Sequence, residues 1–196
     1  MPDSMLASAF VQAKKYRRGR KAASINTLVV HVTQGREAAR QSRNTAAWFA
    51  DPRAGGSTHY AVDPVLITQC VLEEDTCFGA GGVNDRGIHV ELCGSADQTP
   101  EQWADEASTA ELQLAARLFA ELCFRYDIPP QRLTLDELKQ EQPGITCHAD
   151  ACAVYGGSHY DPGPHFPWDV FLDAVRAELA VLSAVSLPFH DRDTVQ

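Results

Sequence analysis

The 196-residue chain has no apolar run approaching the roughly 18 residues needed to cross a bilayer as a helix. It is also short of positive charge, with 17 Lys and Arg against 26 Asp and Glu for a formal net charge of −9. Binding to a phosphate backbone needs clustered cations to displace counterions, so no nucleic-acid partner is expected. No local metal signature of the HExxH or paired CxxC kind is present, nor any internal repeat, low-complexity tract or long linker. The N-terminus lacks the order of a secretory signal: the short apolar stretch Met5 to Val11 precedes the cations Lys14, Lys15, Arg17, Arg18, Arg20 and Lys21 instead of following them. Synthesis in the cytoplasm is therefore expected, with the six cysteines as reduced, mostly buried thiols.

What is present reads as an ordinary globular domain. At 44% apolar and 22% charged residues, a chain of this length buries roughly 70% of its unfolded surface and needs no staple to form a core. The expectation is one domain over residues 1–196, with a core over about 7–183 and a flexible tail over 188–196. Arg17 to Lys21 reads as a solvated basic stretch.

Thr27 to Val32 (TLVVHV) is a continuous β-branched apolar run, the pattern of a strand buried on both faces. Ser42 to Ala50 reads as a helix ended by the Pro and Gly residues of Asp51 to Gly56. Ser57 to Val62, Leu66 to Leu72 and Gly87 to Cys93 read as strands. Thr99, Pro100 and Gln102 form a helix start, and Ala107, Leu114, Leu118 and Leu122 continue at helical spacing to about Tyr126, before Pro129 and Pro130. A short helix at Leu135 to Lys139, an extended piece at Ile145 to His148 and a last helix from Trp168 to Ser183 complete the pattern. Alternating elements of both kinds predict an α/β fold with a mixed central sheet flanked by helices.

Three side chains fit one kind of chemistry. His31 ends an apolar strand, where an imidazole has little company unless something binds it. His148 follows Gly144-Ile145-Thr146-Cys147 in the same way, and Asp161 opens Asp161-Pro162-Gly163-Pro164, a turn stiffened by two prolines. Two imidazoles and one carboxylate are the ligand set of a catalytic zinc site that keeps a fourth position for water, although a hydrogen-bonded core histidine is the plain alternative for His31. Glu91, a carboxylate between Val90 and Leu92, is either an edge or solvent-facing residue or a general base near the metal. A Cys147–His148 nucleophile pair is disfavoured, because neighbours on an extended segment point to opposite faces.

Five segments in order, LVVHVT around His31, GGSTHYAVD around His59, GIHVELCG around Glu91, GITCHAD around His148 and SHYDPGPHFPW around Asp161, resemble the zinc-dependent N-acetylmuramoyl-L-alanine amidases of the type 2 class. This family shares its fold with peptidoglycan recognition proteins. The resemblance spans about residues 7–180, and the AAWFA and GITxH segments are most similar to amidase modules of actinobacteriophage endolysins. It implies a single-domain amidase fold, zinc bound by His31, His148 and Asp161, Glu91 as the catalytic glutamate, and peptidoglycan or a muropeptide as substrate. His159 occupies a position where many members carry an oxyanion-stabilising lysine. His59 and Thr58 are expected to contact substrate, with a structural role as the alternative for His59, and Thr58 stands where some members have a tyrosine. Gly79, within Thr76 to Gly81, replaces the histidine of a tryptophan–histidine pair common in relatives. The resemblance is compatible with a phage or prophage lysin released to the cell wall, a cytoplasmic muropeptide-recycling enzyme or a secreted effector. Rival readings are a non-catalytic peptidoglycan-binding module of the same fold and a metal-free lysozyme using Glu91 with Asp85.

Overall fold

The computed structural model describes residues 1–22 and 24–186; the tail expected over 188–196 lies outside them. Its centre is β3 (Thr27–Val32), every residue of which is buried. β3 pairs in parallel with β7 (Gly87–Leu92) on one side and β8 (Gly144–Cys147) on the other. Beyond β7 lie β4 (Tyr60–Val62), β5 (Ile67–Gln69) and β1 (Ala9–Phe10), giving the order β1-β5-β4-β7-β3-β8. Only the β4–β5 pair is antiparallel, so the sheet is mixed as the sequence pattern predicts. β2 (Tyr16–Arg17) and β6 (Thr76–Cys77) form a small separate ribbon.

Alternation along the strands assigns the two faces. Leu28, Val30 and Val32 of β3, Ile88, Val90 and Leu92 of β7, and Ile145 and Cys147 of β8 point into one apolar core. That core is closed by α3 (Glu106–Tyr126), through Leu112, Phe119 and Leu122, and by α6 (Trp168–Ser186), through Phe171 and Val175. The residues between them, Val29 and His31 on β3 and His89 and Glu91 on β7, face the other side. There α1 (Gln41–Phe49) and α5 (His148–Tyr155) border a cleft over the ends of the central strands, while α4 (Leu135–Lys139) packs through Leu138 against Ala151 and Val29. A sheet with one apolar face and a second face interrupted by polar side chains places the chemistry on that second face.

Several boundaries differ from the sequence reading. The helix expected to run unbroken from Thr99 is two: α2 (Pro100–Trp103) under a Thr99–Gln102 capping box, then α3, because the Asp105 side chain caps a new start by accepting from the Ser108 amide. α5, which begins at His148 immediately after β8, was not legible from periodicity. The basic stretch is not simply solvated: Arg17 pairs with Asp85, and the Arg20 guanidinium donates to the carbonyls of Glu73 and Gly87. All six cysteines are free thiols.

Candidate metal centre and cleft

The site is assembled by three segment ends. His31 lies one residue from the end of β3, and His148 opens α5 directly after β8. Asp161 follows α5 in the Asp-Pro-Gly-Pro turn, and its carbonyl accepts the Ala149 amide at 3.0 Å, which ties the turn to the start of α5. Gly163 has φ +93° and approaches the Ala96 carbonyl so closely that a Cβ would fall 1.8 Å from it. Only glycine fits there, so the turn is pinned against the loop that follows β7.

The three side chains converge. His31 Nδ1 is 3.1 Å from His148 Nδ1 and 3.2 Å from Asp161 Oδ2, and His148 Nδ1 is 3.2 Å from Asp161 Oδ1. One ligand atom from each lies within 4.8 Å of the others. As hydrogen bonding alone this is a frustrated arrangement: if both Nδ1 atoms carry protons for the carboxylate, two N–H groups confront each other, and if one does not, a lone pair is left over. A single cation resolves the conflict. A tetrahedron with metal–ligand bonds of about 2.0 Å has edges of about 3.3 Å, close to the three separations found. The donor set and its spacing therefore fit zinc.

The electrostatics agree with a ligand role. Burial lowers the pKa of His31, favouring the neutral ring that a metal needs, against the opposing pull of Asp161. For Asp161 burial acts upward, but hydrogen bonds with His148 and His31 outweigh it and hold the carboxyl below its usual range. Glu91 lines the same cleft as His148 and Asp161. Its Oε2 is shielded from solvent with no hydrogen-bond partner among the described residues. Burial first, and then the charge of Asp161, push its pKa up to about 8. This holds for the metal-free chain, in which the carboxyl is largely protonated near neutrality; a cation held by His31, His148 and Asp161 would favour its ionised, proton-accepting form.

His159 is the exposed member of the group, its side chain 63% accessible. Its ring stacks on His148 with centroids 4.0 Å apart and planes 12° from parallel, and its Nδ1 lies 3.7 Å from Asp161 Oδ1. It stands at the cleft surface where a side chain could reach a bound oxygen.

The other expected contacts are corrected. His59 and Thr58 are fully buried and do not line the cleft. Thr58 Oγ1 donates to the His89 carbonyl at 2.9 Å. His59 Nδ1 accepts the His89 amide at 3.0 Å, while its Nε2 lies 2.9 Å from the Arg20 guanidinium. Burial, and then the Arg20 charge, depress the His59 pKa to about 3, so the ring is a neutral brace behind the strand. Asp85, the partner carboxylate in the lysozyme reading, is engaged by Arg17 and is not a cleft residue.

Sequence reasoning missed most of the cleft wall. The cleft has a volume of about 800 Å³, and Asn44, Trp48 and Phe49 of α1 face Phe78, Gly79 and Cys152 across it. Trp48 and Phe78 keep 50% and 41% of their surfaces exposed, an apolar display that a core role does not require. The advance signals were the AAWFA segment containing Trp48 and the Thr76 to Gly81 segment containing Phe78 and Gly79. His89, beside His31, gave none.

The architecture is that of the type 2 amidases. Staphylococcus aureus AmiA, solved in complex with its ligand, superposes with a TM-score of 0.69 at 17% identity, covering 93% of this chain and 89% of that one. AmpD, solved as a selenomethionine derivative, gives a TM-score of 0.62 at 20% identity, covering 91% and 99%. A mutant endolysin from Bacillus subtilis gives 0.55 at 17% identity, covering 86% and 99%. No curated protein matches in sequence. The model of the N-acetylmuramoyl-L-alanine amidase family (Amidase_2) matches residues 21–164, and the chain belongs to that family.

Proposed function

We propose that the protein is a zinc-dependent hydrolase that cleaves the amide between the lactyl group of N-acetylmuramic acid and L-alanine in bacterial peptidoglycan. In this reading the chain is one catalytic domain, made in the cytoplasm and acting on the wall as an endolysin-like bacteriolytic enzyme. The observation that carries the proposal is the convergence of His31, His148 and Asp161, the last two lining the same cleft as Glu91, in a member of the amidase family.

His31, His148 and Asp161 would hold the zinc through two neutral nitrogens and one anionic oxygen. When bound, zinc supplies Lewis acidity, polarising the scissile carbonyl and lowering the pKa of a water from about 15.7 toward 7. Glu91 takes the proton from the attacking water and returns it to the departing alanine nitrogen, a role that fits a carboxylate lining the cleft with one oxygen free of other partners among the described residues. His159, steered by its stack on His148, donates an N–H to the developing oxyanion. Trp48 and Phe78 offer flat apolar surfaces to the glycan or stem peptide on either side of the bond.

A non-catalytic binding module has no need of a buried, unpartnered carboxylate next to the metal ligands. The test is turnover of purified peptidoglycan by the metal-stripped chain. Activity lost on chelation and restored by one equivalent of zinc is expected; full turnover by protein shown to contain no metal overturns the zinc reading.

A further inference from the structure

The imidazole of His89 is used by nothing described so far. It is fully buried on the site face of β7, two residues before Glu91, and its Nδ1 lies 2.9 Å from Nε2 of His31. The two rings stack with centroids 5.2 Å apart at 29°, and His59 stacks on the far side of His89 at 5.9 Å and 21°. His31 points its other nitrogen, Nδ1, at His148 and Asp161. For Nδ1 to present a lone pair to a cation, the ring proton must be on Nε2, and there the acceptor within reach among the described residues is His89 Nδ1.

The surroundings are shaped to admit this ring. A Cβ on Gly79 would lie 2.4 Å from His89 Nδ1 and 2.8 Å from its Cγ. Gly79 has no positive φ, so its lack of a side chain is a matter of space and not of backbone conformation. Its amide is fixed by Asn84 Oδ1 at 3.1 Å, so the backbone cannot easily withdraw. The arrangement also carries a cost: His89 Nε2 is buried with no hydrogen-bond partner among the described residues. Stability alone does not favour a buried polar ring with one nitrogen unmatched. An acceptor aimed at His31 gives the ring a purpose.

We infer that His89 is a positioning residue for the metal centre: it accepts the His31 Nε2 proton, fixing the tautomer and ring plane in which Nδ1 can bind a metal, and Gly79 is glycine because it yields that volume to His89. The inference rests on the zinc reading above. Position 79 and the His89 ring compete for one space, so an imidazole projected from position 79 could do the same work once residue 89 is small.

The test is zinc affinity of the full chain by competition with a chromophoric chelator, together with the visible spectrum of the cobalt-substituted protein. Partners of metal-ligating histidines typically contribute 10- to 100-fold in metal affinity. His89→Ala should therefore weaken zinc by about that factor and alter the cobalt spectrum, while His89→Asn, whose Oδ1 can stand near the position of Nδ1, should stay near the parent. The double variant His89→Ala with Gly79→His should recover affinity over His89→Ala alone. Parent-like affinity and spectrum in folded His89→Ala overturn the inference, with the zinc reading intact. Should His89→Ala fail to fold, the Asn variant decides: affinity as weak as that of a His31→Ala control overturns the role of the acceptor, and parent-like affinity supports it. A parent chain that binds no zinc overturns the metal reading and this inference with it.

Discussion

His31 and Glu91 are register partners on the adjacent parallel strands β3 and β7. Directly paired residues on neighbouring strands point to the same face, so one backbone register brings the proposed metal ligand and the proposed base together. His148 and Asp161 are then added from the two ends of α5's surroundings, the first by the strand-to-helix junction and the second by the pinned Asp-Pro-Gly-Pro turn.

Three protein ligands leave no redundancy. His31→Ala, His148→Ala and Asp161→Ala are each expected to lose most of the bound zinc, measured by elemental analysis of the purified chain. A full equivalent of zinc in any one of them removes that residue from the ligand set.

Glu91 moves protons and does not hold the metal in this account. Glu91→Gln should retain zinc and a cooperative melting transition yet lose at least about 100-fold in turnover, the scale of a general base. Turnover within a few-fold of the parent would falsify the assignment.

The raised pKa of Glu91 also sets a pH dependence of stability in the metal-free chain. With a folded value of about 8 against an ordinary 4.5, the folded state binds more protons than the unfolded one between those values. Stability therefore falls as pH rises through that window. Glu91→Gln abolishes this contribution, so the variant should gain stability relative to the parent from pH 5 to pH 8, read from denaturant midpoints with chelator present. A difference independent of pH would show that Glu91 ionises normally.

His159 touches the centre only through the face of His148 and a 3.7 Å approach to Asp161. His159→Ala should keep zinc and lose about 100-fold in turnover, in line with the roughly 3 kcal/mol contributed by one oxyanion donor. His159→Lys should restore much of it. Zinc lost from His159→Ala would make the residue a support of the ligands instead.

Much of this was legible in advance because it depended on local pattern. The buried strand TLVVHV, the Thr99 capping box and the rigid turn at Asp161 follow from β-branching, side-chain capping and proline stereochemistry, which a sequence displays directly. His31, His148 and Asp161 could be named as a candidate set from their positions at segment ends. Their convergence could not be, since it depends on the β7-β3-β8 order, a product of long-range pairing. Asp105 escaped notice because a single cap inside a helical pattern does not change its periodicity. His59 was misplaced for a related reason: a polar residue beside a strand has two faces to choose from, and only the packing of Arg20 and His89 around it shows that it turned inward.

The identity of the bond cut tests the account most directly. Purified peptidoglycan digested by the zinc-loaded chain and examined by mass spectrometry should yield intact glycan strands bearing free lactyl groups and stem peptides with new L-alanine amino termini, with no gain in reducing sugar ends. New reducing ends, or new amino termini at other stem residues, would contradict it.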